Sequence, residues 1–202
     1  RGDVDKNTRR AQGKELDLME ITLLGTGDAV GTPHVGCSCP NCTYAKEHSI
    51  ERLRTSLLIK NGNFHLLIDT TPDMRRQLLN AGSPKIDAVI WTHGHYDHFM
   101  GFGDFYRVQR IPPVYGAPEV LASCRQVFHF LLKEEHPVST YTPFTVCGLE
   151  VILVRVVHPD MFTTGVVISD GKIKVAYTSD TNEHIPQETK NLMKGADLLL
   201  ID

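Results

Sequence analysis

Thr92-His93-Gly94-His95-Tyr96-Asp97-His98 decides the reading of this chain. It follows a short apolar run, 86–91, with the length and composition of a buried strand. His93 and His95 are two apart, so an extended backbone points both rings the same way. Gly94 between them lets the chain bend tightly. Asp97 and His98 come next, where the chain is expected to turn into a helix. Four imidazole or carboxylate donors at the end of a buried strand make a costly core, because each would lack a partner there. A bound metal removes that difficulty, and this donor set suits zinc, manganese or iron. The alternative is a set of surface histidines, and the adjoining apolar run argues against it.

Outward from this segment, strands are expected at 20–24, ending at Gly25, and at 55–60 and 64–69. The latter two flank Asn61-Gly62-Asn63, a strong hairpin signal. Residues 73–81 read as a helix stopped by Gly82, with Pro84 beyond. The longest helix is expected over 117–134, with Val120, Leu121, Cys124, Val127, Phe128 and Leu131 on one face. Strands return at 144–147, 149–157, 164–169 and 173–178, then a helix over 187–194 and a buried strand at 197–201. Hairpins followed by strands alternating with helices predict an α/β fold of layered sheets with covering helices. Residues 1–18 are polar and aperiodic; they read as a flexible tail or appended remnant ahead of a domain over 19–202. A domain closing on a buried strand is unusual, so it is read as incomplete at its C-terminal end.

The length of 202 residues suits one domain. Apolar residues at 41% and charged residues at 22% describe a globular chain rather than a disordered one. Lys and Arg number 21 against 24 Asp and Glu, a net charge of -3 that weighs against a nucleic-acid-coating protein. No apolar run reaches the length of a membrane span, and no secretory pattern opens the sequence. Three of the five cysteines lie in Cys37-Ser38-Cys39-Pro40-Asn41-Cys42. That crowding points to a reducing compartment, hence the cytoplasm, and away from a disulfide framework. The spacing suits one tetrahedral zinc completed by an outside ligand, with reduced structural thiols as the alternative. Cys124 falls on the apolar helix face, and Cys147 at a strand end.

The 93–98 segment matches the HxHxDH pattern of the metallo-β-lactamase superfamily, which the chain resembles from about Glu20 to Asp202. The resemblance implies an αββα sandwich with two divalent ions, zinc or manganese, along one sheet edge. It implies His93, His95 and His158 on one metal, Asp97 and His98 on the second, and Asp180 bridging. Asp97 would also orient the nucleophile and is the implied catalytic residue. His158 follows the 149–157 strand and Asp180 lies in Tyr177-Thr178-Ser179-Asp180-Thr181; alone they would read as a loop residue and a cap or turn residue. A final histidine of the family pattern would fall beyond Asp202.

The run from Leu24 to Cys39 resembles one branch of that superfamily, which includes phosphoribosyl 1,2-cyclic phosphate phosphodiesterase. In that branch three cysteines and a C-terminal histidine hold a structural zinc, and the cysteines map onto Cys37, Cys39 and Cys42. His34 or His48 would be local substitutes for the fourth ligand. Gly25, Gly27 and Gly31 miss the spacing of a dinucleotide loop. The branch is also similar to a coenzyme pyrroloquinoline quinone biosynthesis protein and, more distantly, to the tRNA 3′-end endonuclease, against which the cysteine cluster counts. The implied activity is hydrolysis of a small phosphodiester, cyclic ones included, by a hydroxide bridging the metals. An ester or thioester hydrolase is one alternative; a non-catalytic zinc-binding protein completed by a partner is another. The implied partners are the small-molecule substrate and a second copy in a homodimer, with neither membrane nor nucleic acid expected. Arg52, Arg54, Arg107 and Arg110 could reach a phosphate or be solvated surface. His184, near Asp180, reads as an exposed loop residue rather than the general acid.

Overall fold

The computed structural model describes residues 19–131 and 133–202, so the expected tail over 1–18 lies outside the described residues. The first sheet opens as an antiparallel meander of β1 (Glu20–Gly25), β2 (Ser56–Asn61) and β3 (Phe64–Ile68), with α1 (Pro40–Glu47) between the first two. It continues in parallel with β4 (Ala88–Ile90), β5 (Val114–Gly116) and β6 (Glu135–Pro137). Helical crossovers make those parallel steps possible. They are α2 (Met74–Asn80), then α3 (Tyr96–Phe99) with a 3-10 turn (Met100–Asp104) and α4 (Phe105–Val108), then α5 (Pro118–Val127).

The second sheet is an antiparallel meander of β7 (Pro143–Val146), β8 (Leu149–His158), β9 (Met161–Ser169) and β10 (Lys174–Tyr177). After α6 (Gln187–Met193), β11 (Leu198–Leu200) joins β10 in parallel. The orders are β1-β2-β3-β4-β5-β6 and β11-β10-β9-β8-β7.

Side-chain alternation turns these sheets into layers. Leu66 and Ile68 of β3 face the second sheet, joining Leu57, Ile59, Ala88 and Ile90 against Val151, Leu153, Val166 and Ile168. Leu67 between them faces the other way, into a core with Leu58, Val89, Trp91, Phe102, Phe105 and Leu121 under the helices. Both faces of β3 are therefore buried over Leu66–Ile68, as that apolar run requires. Beyond the second sheet, Met193 of α6, with Leu192 and Ala196 beside it, covers Val154, Val167 and Ala176. The result is the expected αββα sandwich.

Three expectations are corrected. The strand expected to be buried at 197–201 forms as β11, but Leu198 and Leu199 are exposed because β11 is the edge strand beside β10. The helix expected over 117–134 ends at Val127, with Phe128 as its C-cap. Phe128 and Leu131 reach the core outside the helix, which frees Glu135–Pro137 to extend in parallel beside β5. The strand expected at 164–169 begins earlier, at Met161, because β8 and β9 form one long hairpin with the register His158↔Met161. That hairpin brings His158 to the very end of β8.

Candidate metal centre

Many of the buried polar residues gather at one edge of the sandwich, where β3, β4 and β10 end. Asp69, Thr92, His93, Asp97, His98, Thr164 and Ser179 all lie there, each buried. Asp69 directly follows β3 and is fully buried at φ 64°, a conformation that costs strain in a residue with a side chain. Its carboxylate accepts from the Thr92 N–H at 2.8 Å and the Thr92 hydroxyl at 2.7 Å, and sits 2.7 Å from His98 Nδ1. Ser179 Oγ donates to Thr92 Oγ1 at 2.9 Å, and the Thr164 N–H and hydroxyl both donate to the Thr92 carbonyl at 3.0 Å. These bonds tie the ends of both sheets together beneath the histidines.

Above this base the donors converge. His93 Nε2 lies 3.1 Å from His95 Nδ1, which lies 3.0 Å from His158 Nε2. Ligand atoms at about 2.0–2.1 Å from one tetrahedral zinc stand about 3.3 Å apart. Three facing ring nitrogens cannot all donate to one another, whereas one cation accepts a lone pair from each. The donor set therefore fits a metal ion.

A second group shares His93. His98 Nε2 is 3.3 Å from Asp180 Oδ1 and 3.4 Å from Asp97 Oδ2, while Asp180 Oδ2 is 4.0 Å from His93 Nε2. Asp180 thus stands between the two groups. His93, His98 and Asp180 form the second triad, with Asp97 beside it. A cavity of about 540 Å³ opens over this edge, bordered by Asp97, His98, Asp180, Arg52 and the loop from Thr26 to Thr32.

The electrostatics follow from burial and charge. Burial, then the neighbouring His98, pushes His93 down to about 3, against the pull of Asp180. Burial and His158 lower His95 as well. Burial also works against a charge on His98, but Asp69, Asp180 and Asp97 outweigh it and raise its pKa well above the ordinary value. Burial would raise Asp180, yet the hydrogen bond and charge of His98 bring it to about 2. The site thus favours ionised Asp97 and Asp180 and neutral His93 and His95, the protonation states that metal ligands need, while His98 holds its proton.

The sulfur atoms of Cys37, Cys39 and Cys42 lie within 4.8 Å of one another, and could hold a second kind of metal site. Cys39 caps α1 and accepts from the Cys42 N–H at 3.5 Å, which, with the neighbouring thiols, lowers its pKa. The His34 N–H points at Cys42 Sγ from 3.4 Å, but the His34 ring turns to Asp28 at 3.3 Å. His48 stacks on Tyr44. Neither ring joins the three sulfurs. His184 is exposed beside Glu183, as expected. The residues that sequence reasoning passed over are Asp69, Thr92 and Ser179 as supports; an acid ending the apolar run Leu66-Leu67-Ile68 was the available signal for the first.

A sequence profile described as the β-lactamase superfamily domain matches residues 65–202. A diphosphatase from the PhnP family, known from its crystal structure, shares the fold with a TM-score of 0.80 and 32% identity, over 90% of this chain and 73% of that one. Zinc-bound PqqB from Methylobacterium extorquens has a TM-score of 0.81 at 24% identity, over 92% of this chain and 72% of that one. An octanoyltransferase of Porphyromonas gingivalis is 34% identical across 91% of this chain, which spans only 39% of that protein. With the profile covering more than half its length on a shared fold, the chain belongs to the β-lactamase superfamily.

Proposed function

We propose that this chain carries the metal centre of a hydrolase of small phosphodiesters, cyclic ones included. The observation that carries the reading is the pair of donor groups that meet at His93, with Asp180 between them and a cavity opening at Asp97, His98 and Asp180. The likeness to a diphosphatase at 32% identity supports phosphate-ester chemistry.

In this reading His93, His95 and His158 would hold one divalent cation, zinc or manganese, and Asp97 and His98 would hold another, with Asp180 placed to serve both. When bound, such a pair acidifies water to a nucleophile at neutral pH and offsets charge on phosphoryl oxygens. The protein's own residues supply the geometry. Asp69 fixes which nitrogen of His98 faces the cavity by occupying its Nδ1. The Thr92 hydroxyl, 3.0 Å from His93 Nδ1, does the same for His93. Asp97, held ionised beside His98, accepts from the attacking water and aims it. Cys37, Cys39 and Cys42 would hold a structural zinc.

Hydrolysis of bis(p-nitrophenyl) phosphate by the metal-loaded chain tests this. We expect turnover, reduced at least about a hundredfold by His95→Ala and by Asp97→Ala. Equal rates in all three proteins would reject the site assignment. The match to an octanoyltransferase motivates a parallel assay with p-nitrophenyl octanoate; faster cleavage of that ester than of the diester would replace the phosphodiester reading with an acyl-ester one.

A further inference from the structure

Arg52 has no place in the metal chemistry, yet this exposed residue borders the cavity over Asp97, His98 and Asp180 as well as a neighbouring one lined by Glu51, Arg76 and Asn80. It is the one lysine or arginine among the described lining residues, which otherwise include Asp28, Asp97, Asp180 and Asp202. Its backbone is rigidly placed: the Arg52 N–H donates to the Thr32 carbonyl at 2.8 Å and the Thr32 N–H to the Arg52 carbonyl at 2.9 Å. The loop lies flat against it because two glycines allow the approach. A Cβ on Gly27 would stand 2.7 Å from the Arg52 carbonyl oxygen, and one on Gly31 2.8 Å from it.

Neighbouring arginines are spent on structure. Arg54 pairs with Asp73 at 3.0 Å and donates to the Ala29 carbonyl at 2.8 Å, while Arg76 pairs with Glu51. The Arg52 guanidinium makes no hydrogen bond or ion pair among the described residues. Asp28, the acid on the same loop, is turned to His34. An exposed planar cation on a fixed backbone, without a partner among the described residues and on a residue that borders the cavity of Asp97, His98 and Asp180, is matched to a phosphate or carboxylate.

We propose that Arg52 forms an anion subsite, which holds a second anionic group on a substrate whose reacting phosphorus lies at His98 and Asp180. The inference rests on the phosphodiester reading for the second half of that statement. It makes Arg52 a specificity-determining residue: a substrate with an anion beyond the reacting ester binds better than one without.

Methylphosphonate and phosphonoacetate test this, since they share a phosphonate and differ by one carboxylate. Calorimetric titration of the metal-loaded chain gives the dissociation constant of each. Phosphonoacetate is expected to bind about tenfold more tightly, the scale of one charge-assisted hydrogen-bonded pair. Arg52→Gln should erase the preference, Arg52→Lys should keep part of it, and Arg76→Gln should leave it intact. An unchanged preference in Arg52→Gln, or equal affinities in the unsubstituted chain, overturns the subsite. Absence of bis(p-nitrophenyl) phosphate turnover would count against the phosphodiester reading alone, because the phosphonate preference is read by binding.

Discussion

Asp69 illustrates what one buried carboxylate does at this edge. It is fully buried and accepts from the N–H and the hydroxyl of Thr92 while facing His98 Nδ1. An isolated buried anion would be prohibitive, but this one is fully hydrogen-bonded and faces a histidine held in its charged form. Asp69→Asn keeps the size and removes the charge. One amide hydrogen must then face a donor, the Thr92 hydroxyl or the His98 ring. We expect a loss of about 3–5 kcal/mol in the metal-free protein, as for breaking a buried pair, and a ten- to hundredfold weaker zinc affinity. Urea unfolding and competitive zinc titration measure the two. A variant with unaltered zinc affinity would show that Asp69 does not orient His98.

At the scale of elements, the centre is built where strands stop. His93 and His95 follow β4, His158 ends β8, and Asp180 follows β10. The 3-10 turn after α3 is pressed against the chain leaving β3, where the Gly101 N–H donates to the Thr70 carbonyl at 2.9 Å. A Cβ on Gly101 would lie 1.9 Å from the Thr71 carbonyl oxygen, a backbone atom with little room to move. Gly101→Ala should therefore displace α3, which carries Asp97 and His98. The expected cost is about 1–3 kcal/mol, the range for overpacking, and weaker zinc binding should accompany it. Unchanged melting and zinc affinity would show that α3 does not need this contact.

The same elements show what could be read from the sequence. The hairpin around Asn61-Gly62-Asn63 and the helix before Gly82 were legible because their turn and stop residues are local signals. So was the His93–His98 segment, whose donors are adjacent. β6 was not legible: Glu135-His136-Pro137 carries no apolar alternation, and only parallel pairing with β5 makes it a strand. The turn into a helix at Asp97 was legible, but the 3-10 turn and α4 beyond it were hidden by Gly101 and Gly103, which break the helical period. His158 and Asp180 entered through their order in a family pattern, and no local feature sets them 3.0 Å from His95 and 3.3 Å from His98. Asp69 was read as the last residue of a strand, because its partners are supplied by residues 23 and 29 positions away.

For the whole molecule, the two buried histidines pull its pH dependence in opposite directions. His93 has its pKa lowered from 6.5 to about 3. The unfolded chain takes up that proton first, so this contribution is complete above pH 6.5 and is lost as pH falls from there toward 3. His98 is raised well above 6.5. Its contribution is complete below pH 6.5 and is lost as pH rises through its folded pKa. These two terms together give the metal-free protein a maximum of stability near pH 6.5. Zinc changes the alkaline side, because a cation at His98 Nε2 replaces the proton there and binds more tightly as that proton leaves. At about a hundred times its dissociation constant, a ligand of the folded state adds about 2.7 kcal/mol. The melting temperatures of the chelated and zinc-loaded chains should therefore draw apart as pH rises from 6 toward 8 and come together below it. Scanning calorimetry at constant free zinc follows both curves. A gap that stays constant over that interval would mean that zinc does not displace the His98 proton, and would remove His98 from the proposed ligands.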